Sequence, residues 1–144
     1  MVRRAGVLVV PFTWADQVSA TVLKVVTCRE PNDCAIVALS MYLGVSYEDV
    51  LRAVTVSDSL QGRQGLWTRT MIRIAKRLGH PLKLRKSVDL ESDYGILRLP
   101  EHAAVLRNGL VIDGDGTIWD ADAFLAQWHV DARDCQLLVT REDE

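Results

Sequence analysis

Pro31-Asn32-Asp33-Cys34-Ala35-Ile36-Val37-Ala38-Leu39 is the stretch on which the reading of this chain turns. Two good helix caps stand directly before a thiol, and an apolar run follows it. With Asn32 or Asp33 as N-cap, Cys34 falls in the first helical turn, where unpaired N–H groups and the helix dipole favour negative charge. The thiolate is the reactive form of cysteine, so this placement predicts a nucleophile. From Asp33 to Leu43 the apolar side chains go nearly all round, which predicts a central buried helix, and Gly44 is a natural C-terminal stop. A plain core helix with an inert thiol has the same pattern, so a base has to be found elsewhere.

The best candidate base lies far downstream, in His102-Ala103-Ala104-Val105-Leu106-Arg107-Asn108-Gly109-Leu110-Val111-Ile112-Asp113. Asn108-Gly109 is the preferred pair for a type I′ turn, and it predicts a hairpin of His102–Arg107 with Leu110–Asp113. Arg107 then faces Leu110, and counting back pairs Ala104 with Asp113 and His102 with Asp115. Because side chains alternate along a strand, His102, Ala104, Leu106, Val111, Asp113 and Asp115 share one face. Two carboxylates are thus within reach of one imidazole. A carboxylate there would fix the tautomer and stabilise the imidazolium, which in turn stabilises a thiolate. Asp113 is the first choice, Asp115 the second and Asp120 the third. His80 and His129 have no carboxylate at a comparable register and are expected to be structural.

The rest of the chain reads as helices followed by strands. Val22 to Thr27 is a β-branched strand that would deliver the cysteine to the surface, and Ser46-Tyr47-Glu48-Asp49 resembles a capping box opening a second helix. Ser57 to Gly65 is a polar loop. Trp67 to Leu78 places Met71, Ile72, Ala75 and Leu78 on one helical face, closed by Gly79. Pro81 to Arg85, Ile96 to Leu99 and Cys135 to Thr140 read as further strands, and Asp120 caps a short helix through Trp128. Trp67, Trp119 and Trp128 are expected in the core or the wall of a cleft. Helices first and an antiparallel sheet after them predict an α+β fold, with the nucleophile from one half and the base from the other. The cleft between the layers is the expected site.

At 144 residues with 49% hydrophobic content, the whole chain 1–144 is expected to be one domain with its own core, residues 1–20 being a peripheral or signal-like segment. Met1-Val2-Arg3-Arg4 before Ala5 to Phe12 has a crude signal-peptide outline; an ordered strand is the plainer reading. The net charge of −2 argues against a polyanion binder by charge alone. The acid-free stretch from Arg63 to Lys86, with Arg69, Arg73, Lys76, Arg77, Lys83, Arg85 and Lys86, reads as the solvated face of a helix and a strand. Its rival is a phosphate-contacting surface, which predicts steep salt dependence. Three cysteines, Cys28, Cys34 and Cys135, are too few for a disulfide scaffold and lack zinc-site spacing. Asp113-Gly114-Asp115-Gly116 lacks the later ligands of a calcium loop, where Thr117, Ile118 and Phe124 stand. No metal or other cofactor is therefore expected. Nor is a membrane or nucleic-acid partner, since no apolar run nears the ~18 residues of a spanning helix. The cytoplasm is the expected location, with secretion the alternative raised by the N-terminal outline.

Asn32-Asp33-Cys34-Ala35-Ile36-Val37-Ala38-Leu39-Ser40-Met41-Tyr42-Leu43-Gly44 resembles the nucleophile helix of the papain-like cysteine peptidases of the bacteriocin-processing, or double-glycine leader, class. His102, followed by apolar residues, a glycine turn and Asp113, is similar to that class's base and orienter, and the resemblance covers most of residues 21 to 140. It implies a papain-like α+β fold, with a nucleophile helix packed on a C-terminal antiparallel sheet. It also implies a Cys34-His102-Asp113 triad and acyl transfer on a peptide or amide bond of a peptide or protein substrate. One departure stands out: the family usually places a Gln six residues before the nucleophile to bind the developing oxyanion, and this chain has Cys28 there. A thiol is a poor donor. Either the Cys34 N–H and another donor such as Asn32 suffice, or the chain is a catalytically silent papain-like module that binds a peptide.

Overall fold

Cys34–Leu43 forms α1, and its all-round apolar composition is explained by where it sits: Ala35, Val37, Ala38, Leu39, Met41 and Tyr42 are all buried. The computed structural model describes residues 2–4, 7–9, 34–54, 68–100 and 102–140, the first two stretches by backbone alone. Gly44 takes φ +71, a left-handed conformation that glycine adopts without strain, and its N–H bonds the Ser40 carbonyl to close the helix. The buried Ser40 hydroxyl donates to the Val45 carbonyl at 2.6 Å, which satisfies the one polar side chain on that face. Ser46 then caps α2 (Tyr47–Ala53), its hydroxyl accepting from the Asp49 N–H at 3.0 Å. α3 (Thr68–Arg77) buries Met71, Ile74 and Ala75 and ends at Gly79, φ +84.

Among the described residues, eight strands form one antiparallel sheet in the order β1-β2-β7-β6-β5-β4-β8-β3. They are β1 (Val2–Arg4), β2 (Val7–Val9), β3 (Leu82–Arg85), β4 (Tyr94–Leu99), β5 (His102–Arg107), β6 (Leu110–Ile112), β7 (Ile118–Asp120) and β8 (Gln136–Thr140). α4 (Ala121–Gln127) follows β7 directly, with Asp120 as its N-cap, and a 3₁₀ turn at Ala132–Asp134 leads into β8. The α+β expectation is met: α1 lies across β5 and β4, and α2 and α3 flank it.

Alternation sends the two faces of the sheet into different cores. Ile96, Ala103, Val105, Ile112 and Leu138 pack against α1–α3, while Leu97, Ala104, Leu106, Val111, Leu137 and Val139 pack with Phe124 of α4. Both faces of β4, β5 and β8 are thus covered, which is why these strands read as continuous apolar runs. Each fully buried Leu, Ile or Val contributes roughly 1.5–3 kcal/mol of transfer free energy. Gly95 is dictated by contact: a Cβ there would stand 2.6 Å from the Leu138 carbonyl oxygen.

The Asn108-Gly109 hairpin forms as expected, with φ of +48 and +83 and Arg107 paired with Leu110. Its ladder stops short of the predicted length. The pairing ends at Val105 with Ile112, because a tight turn intervenes in which Gly116 N–H bonds the Asp113 carbonyl and Asp113 N–H bonds that of Thr117. His102 and Asp115 are therefore not ladder partners. β4 begins at Tyr94 rather than Ile96, since Gly95 interrupts the apolar pattern without interrupting the pairing. β7 was not legible at three residues, too short to display alternation. The strand expected over 22–27 and the loop over 57–65 lie outside the described residues. Among the described residues, no single helix is long and apolar enough to cross a membrane.

Candidate active site

Cys34 opens α1 as its first helical residue, half-buried and a free thiol. His102 is the first residue of β5, so its ring is at the end of the sheet and not between strands. From there it can reach past the strand end to the N-terminus of α1. The sulfur lies close enough to the imidazole for each to shift the other's protonation, and the Ala103 amide acts on the sulfur as well. On the ring's other side, His102 Nε2 stands 2.6 Å from Asp113 Oδ1, with only 13% of each side chain exposed. Nδ1 is therefore the nitrogen turned to the sulfur. Asp113 is held in turn by the Gly114 N–H, which donates to Oδ1 at 2.8 Å.

Electrostatics follow from this chain of contacts. Burial pushes the Cys34 thiol up, but the hydrogen bond and charge of His102, the Ala103 amide and the charge of Arg98 outweigh it and leave the thiol below its ordinary value. For His102, burial alone would lower the imidazole; its interactions with the Asp113 carboxylate, which accepts from the ring, and with the Cys34 sulfur reverse that and raise it to about 9. Opposite shifts of this kind favour a negative sulfur beside a positive imidazole. Cys135 is the internal contrast. It is buried in the second core, and burial together with Asp134 and Asp131 pushes its thiol up to about 11.

Solved structures resemble the fold of this chain. A double-glycine motif protease from an AMS/PCAT transporter, crystallised in complex with the leader peptide, matches with a TM-score of 0.57 at 19% identity, over 80% of this chain and 89% of that one. The peptidase domain of Streptococcus ComA, a bi-functional ABC transporter involved in a quorum-sensing pathway, matches with a TM-score of 0.54 at 17% identity, over 81% of this chain and 98% of that one. This chain has the double-glycine peptidase fold. No protein-family model matches the sequence, and no curated protein matches it.

Within that fold, the sequence-predicted residues separate into three groups. Cys34, His102 and Asp113 come together. Asp115 is turned away: its Oδ1 accepts from the Thr117 N–H at 3.0 Å and the Thr117 hydroxyl at 2.5 Å, stabilising the turn instead of touching His102. Asp120 serves α4 as its cap. Cys28 and Asn32, the two candidates for the oxyanion position, lie outside the described residues. The basic stretch is partly engaged in the fold, with Arg77 donating to the Ala53 carbonyl at 2.9 Å and Arg85 paired with Asp93 at 2.5 Å.

Two neighbours of the site make contacts that the sequence did not specify, although Trp128 was expected in the core or the wall of a cleft. Trp128, at the C-cap of α4, stacks on the His102 ring with centroids 4.3 Å apart and planes at 14°. No local pattern gives that contact, because it depends on how α4 packs back over the sheet. Arg98 on β4 sits across the ladder from Ala103 and near the Cys34 sulfur. Its signal was present: a charge in the otherwise apolar run Ile96-Leu97-Arg98-Leu99, four residues before the histidine.

Proposed function

We propose that this chain is a thiol-dependent peptidase or amidase in which Cys34 is the nucleophile, His102 the proton shuttle and Asp113 the orienter. The observation that carries this reading is the His102 ring held at 2.6 Å from Asp113 Oδ1 while it lowers the proton affinity of the Cys34 thiol beside it. In the acylation step the thiolate sulfur adds to the carbonyl carbon, and the charge moves to the carbonyl oxygen beside the backbone N–H groups that open α1. The tetrahedral adduct collapses with cleavage of the C–N bond, and the imidazolium gives its proton to the departing amine. Neutral His102 then takes a proton from water, whose oxygen adds to the thioester carbon; the sulfur leaves and the acid product is released. Transfer to an amine in place of water uses the same groups.

A peptide substrate is supported by the leader-peptide complex of the structural neighbour. The experiment is alkylation by iodoacetamide at pH 6 with peptide mapping: Cys34 is expected to react at least ~10²-fold faster than Cys135. Equal rates at Cys34, Cys28 and Cys135 would refute the proposal. The second reading, a silent peptide-binding module, is favoured by Cys28 in the position of the family's oxyanion-binding Gln. It predicts peptide binding without turnover, unchanged in Cys34→Ser.

A further inference from the structure

Arg98 is a buried-side cation with an unusual set of partners. Its Nε donates to the Thr68 hydroxyl at 3.1 Å, at the start of α3, and one terminal nitrogen donates to the His102 carbonyl at 3.4 Å. These two bonds fix the plane of the guanidinium and leave donors unused among the described residues. Among the described residues no carboxylate stands within ion-pair distance of it. Among the described residues the charged group that acts on it is the Cys34 sulfur. Arg98 is only partly exposed, and taking a guanidinium out of water without an anion is costly. The sulfur offsets that cost only while it is a thiolate. Once it bonds to a carbonyl carbon, the negative charge leaves it, and among the described residues no other anion stands beside the guanidinium.

We propose that Arg98 forms a carboxylate-binding subsite next to Cys34, so that the site selects peptides or amides carrying a carboxylate close to the reacting carbonyl. The inference rests on Cys34 being the nucleophile. The guanidinium is anchored from both sides, by α3 and by the β5 carbonyl, so it presents a fixed donor edge of the kind that takes a carboxylate in two hydrogen bonds. The positive ends of α1 and α3, whose first residues are Cys34 and Thr68, add to the field at that spot.

The test compares two alkylating agents of near-equal size, anionic iodoacetate and neutral iodoacetamide, by their rate constants at Cys34 in the full chain. A change in thiolate content affects both alike, so their ratio reads recognition of the anion. Arg98→Gln and Arg98→Met are expected to lower the iodoacetate-to-iodoacetamide ratio by about threefold to tenfold, and Arg98→Lys to retain most of it. Circular dichroism identifies which neutral variant is folded, and either one suffices. An unchanged ratio in a folded neutral variant, with iodoacetamide still selecting Cys34, overturns the subsite and leaves the nucleophile standing. If neither reagent prefers Cys34 over Cys135 in the unaltered chain, it is the proposed function that fails.

Discussion

Replacing Asp113 with Asn tests the electrostatic core of the site with little disturbance of the fold. The backbone around Asp113 is held by its own N–H to Thr117 and by its carbonyl, which accepts from Gly116, so the turn does not depend on the carboxylate. An Asn oxygen can still accept from the Gly114 N–H, which now bonds Oδ1 at 2.8 Å. What changes is the group facing Nε2: an anion at 2.6 Å becomes a neutral amide. A charge-assisted hydrogen bond of this kind contributes about 1.5–3 kcal/mol, and one pKa unit corresponds to about 1.4 kcal/mol, so His102 should fall by about 1–2 units. If the Asn amide donates its N–H to Nε2, it also favours the tautomer with the proton on Nδ1, where the ring cannot accept from the thiol. The cleanest assay is an NMR titration of the His102 ring with Cys34→Ala as background, which removes the coupling to the sulfur. There the imidazole should titrate below the present value of about 9 but above the ordinary 6.5. Adding Asp113→Asn should lower it further by the stated amount. An unchanged titration would refute the argument that Asp113 sustains the imidazolium.

Stability should follow the same group. Burial opposes the charged imidazole, but the Asp113 and Cys34 contacts prevail and hold it at about 9 against 6.5 for the unperturbed ring, so the folded state binds the proton more tightly. That contribution is complete below the lower value and disappears as pH rises through the upper one. In Cys34→Ala protein, urea melts should lose about 1–2 kcal/mol between neutral and strongly alkaline pH, and adding Asp113→Asn should flatten the curve. Trp128→Ala removes the ring stacked at 4.3 Å on His102 from a side chain 39% exposed, so the fold should persist. His102 should then titrate lower by about 0.5 unit, as expected for loss of a cation–π contact of ~0.5–1 kcal/mol, a shift NMR resolves. Gly95→Ala forces a methyl to 2.6 Å from the Leu138 oxygen and 2.9 Å from Val139 Cγ1, and should cost about 2–3 kcal/mol, read as a drop in Tm.

Local chemistry determined much of this protein. Gly44 and Gly79 end helices at positive φ, Ser46 and Asp120 cap helices through their own oxygens, and Asn108-Gly109 fixes a hairpin register, each within a few residues of chain. Alternation in that register put His102 and Asp113 on one face, and an apolar helix that opens on a thiol marked Cys34. These features were legible because propensity, capping and turn chemistry act over short distances. Tertiary structure decided the rest. The meeting of Cys34 with His102 depends on α1 lying across β5 and β4, a contact between residues far apart in sequence. The stop in the hairpin ladder at Ile112 separated Asp113 from Asp115, giving one oxygen to the imidazole and the other residue to Thr117. The stacking of Trp128 and the placement of Arg98 beside the sulfur arise from how α4 and α3 pack against opposite faces of the sheet. A sequence records which side chains are available; their distances follow from long-range packing, whose free energy is spread over the two cores and is written in no single motif.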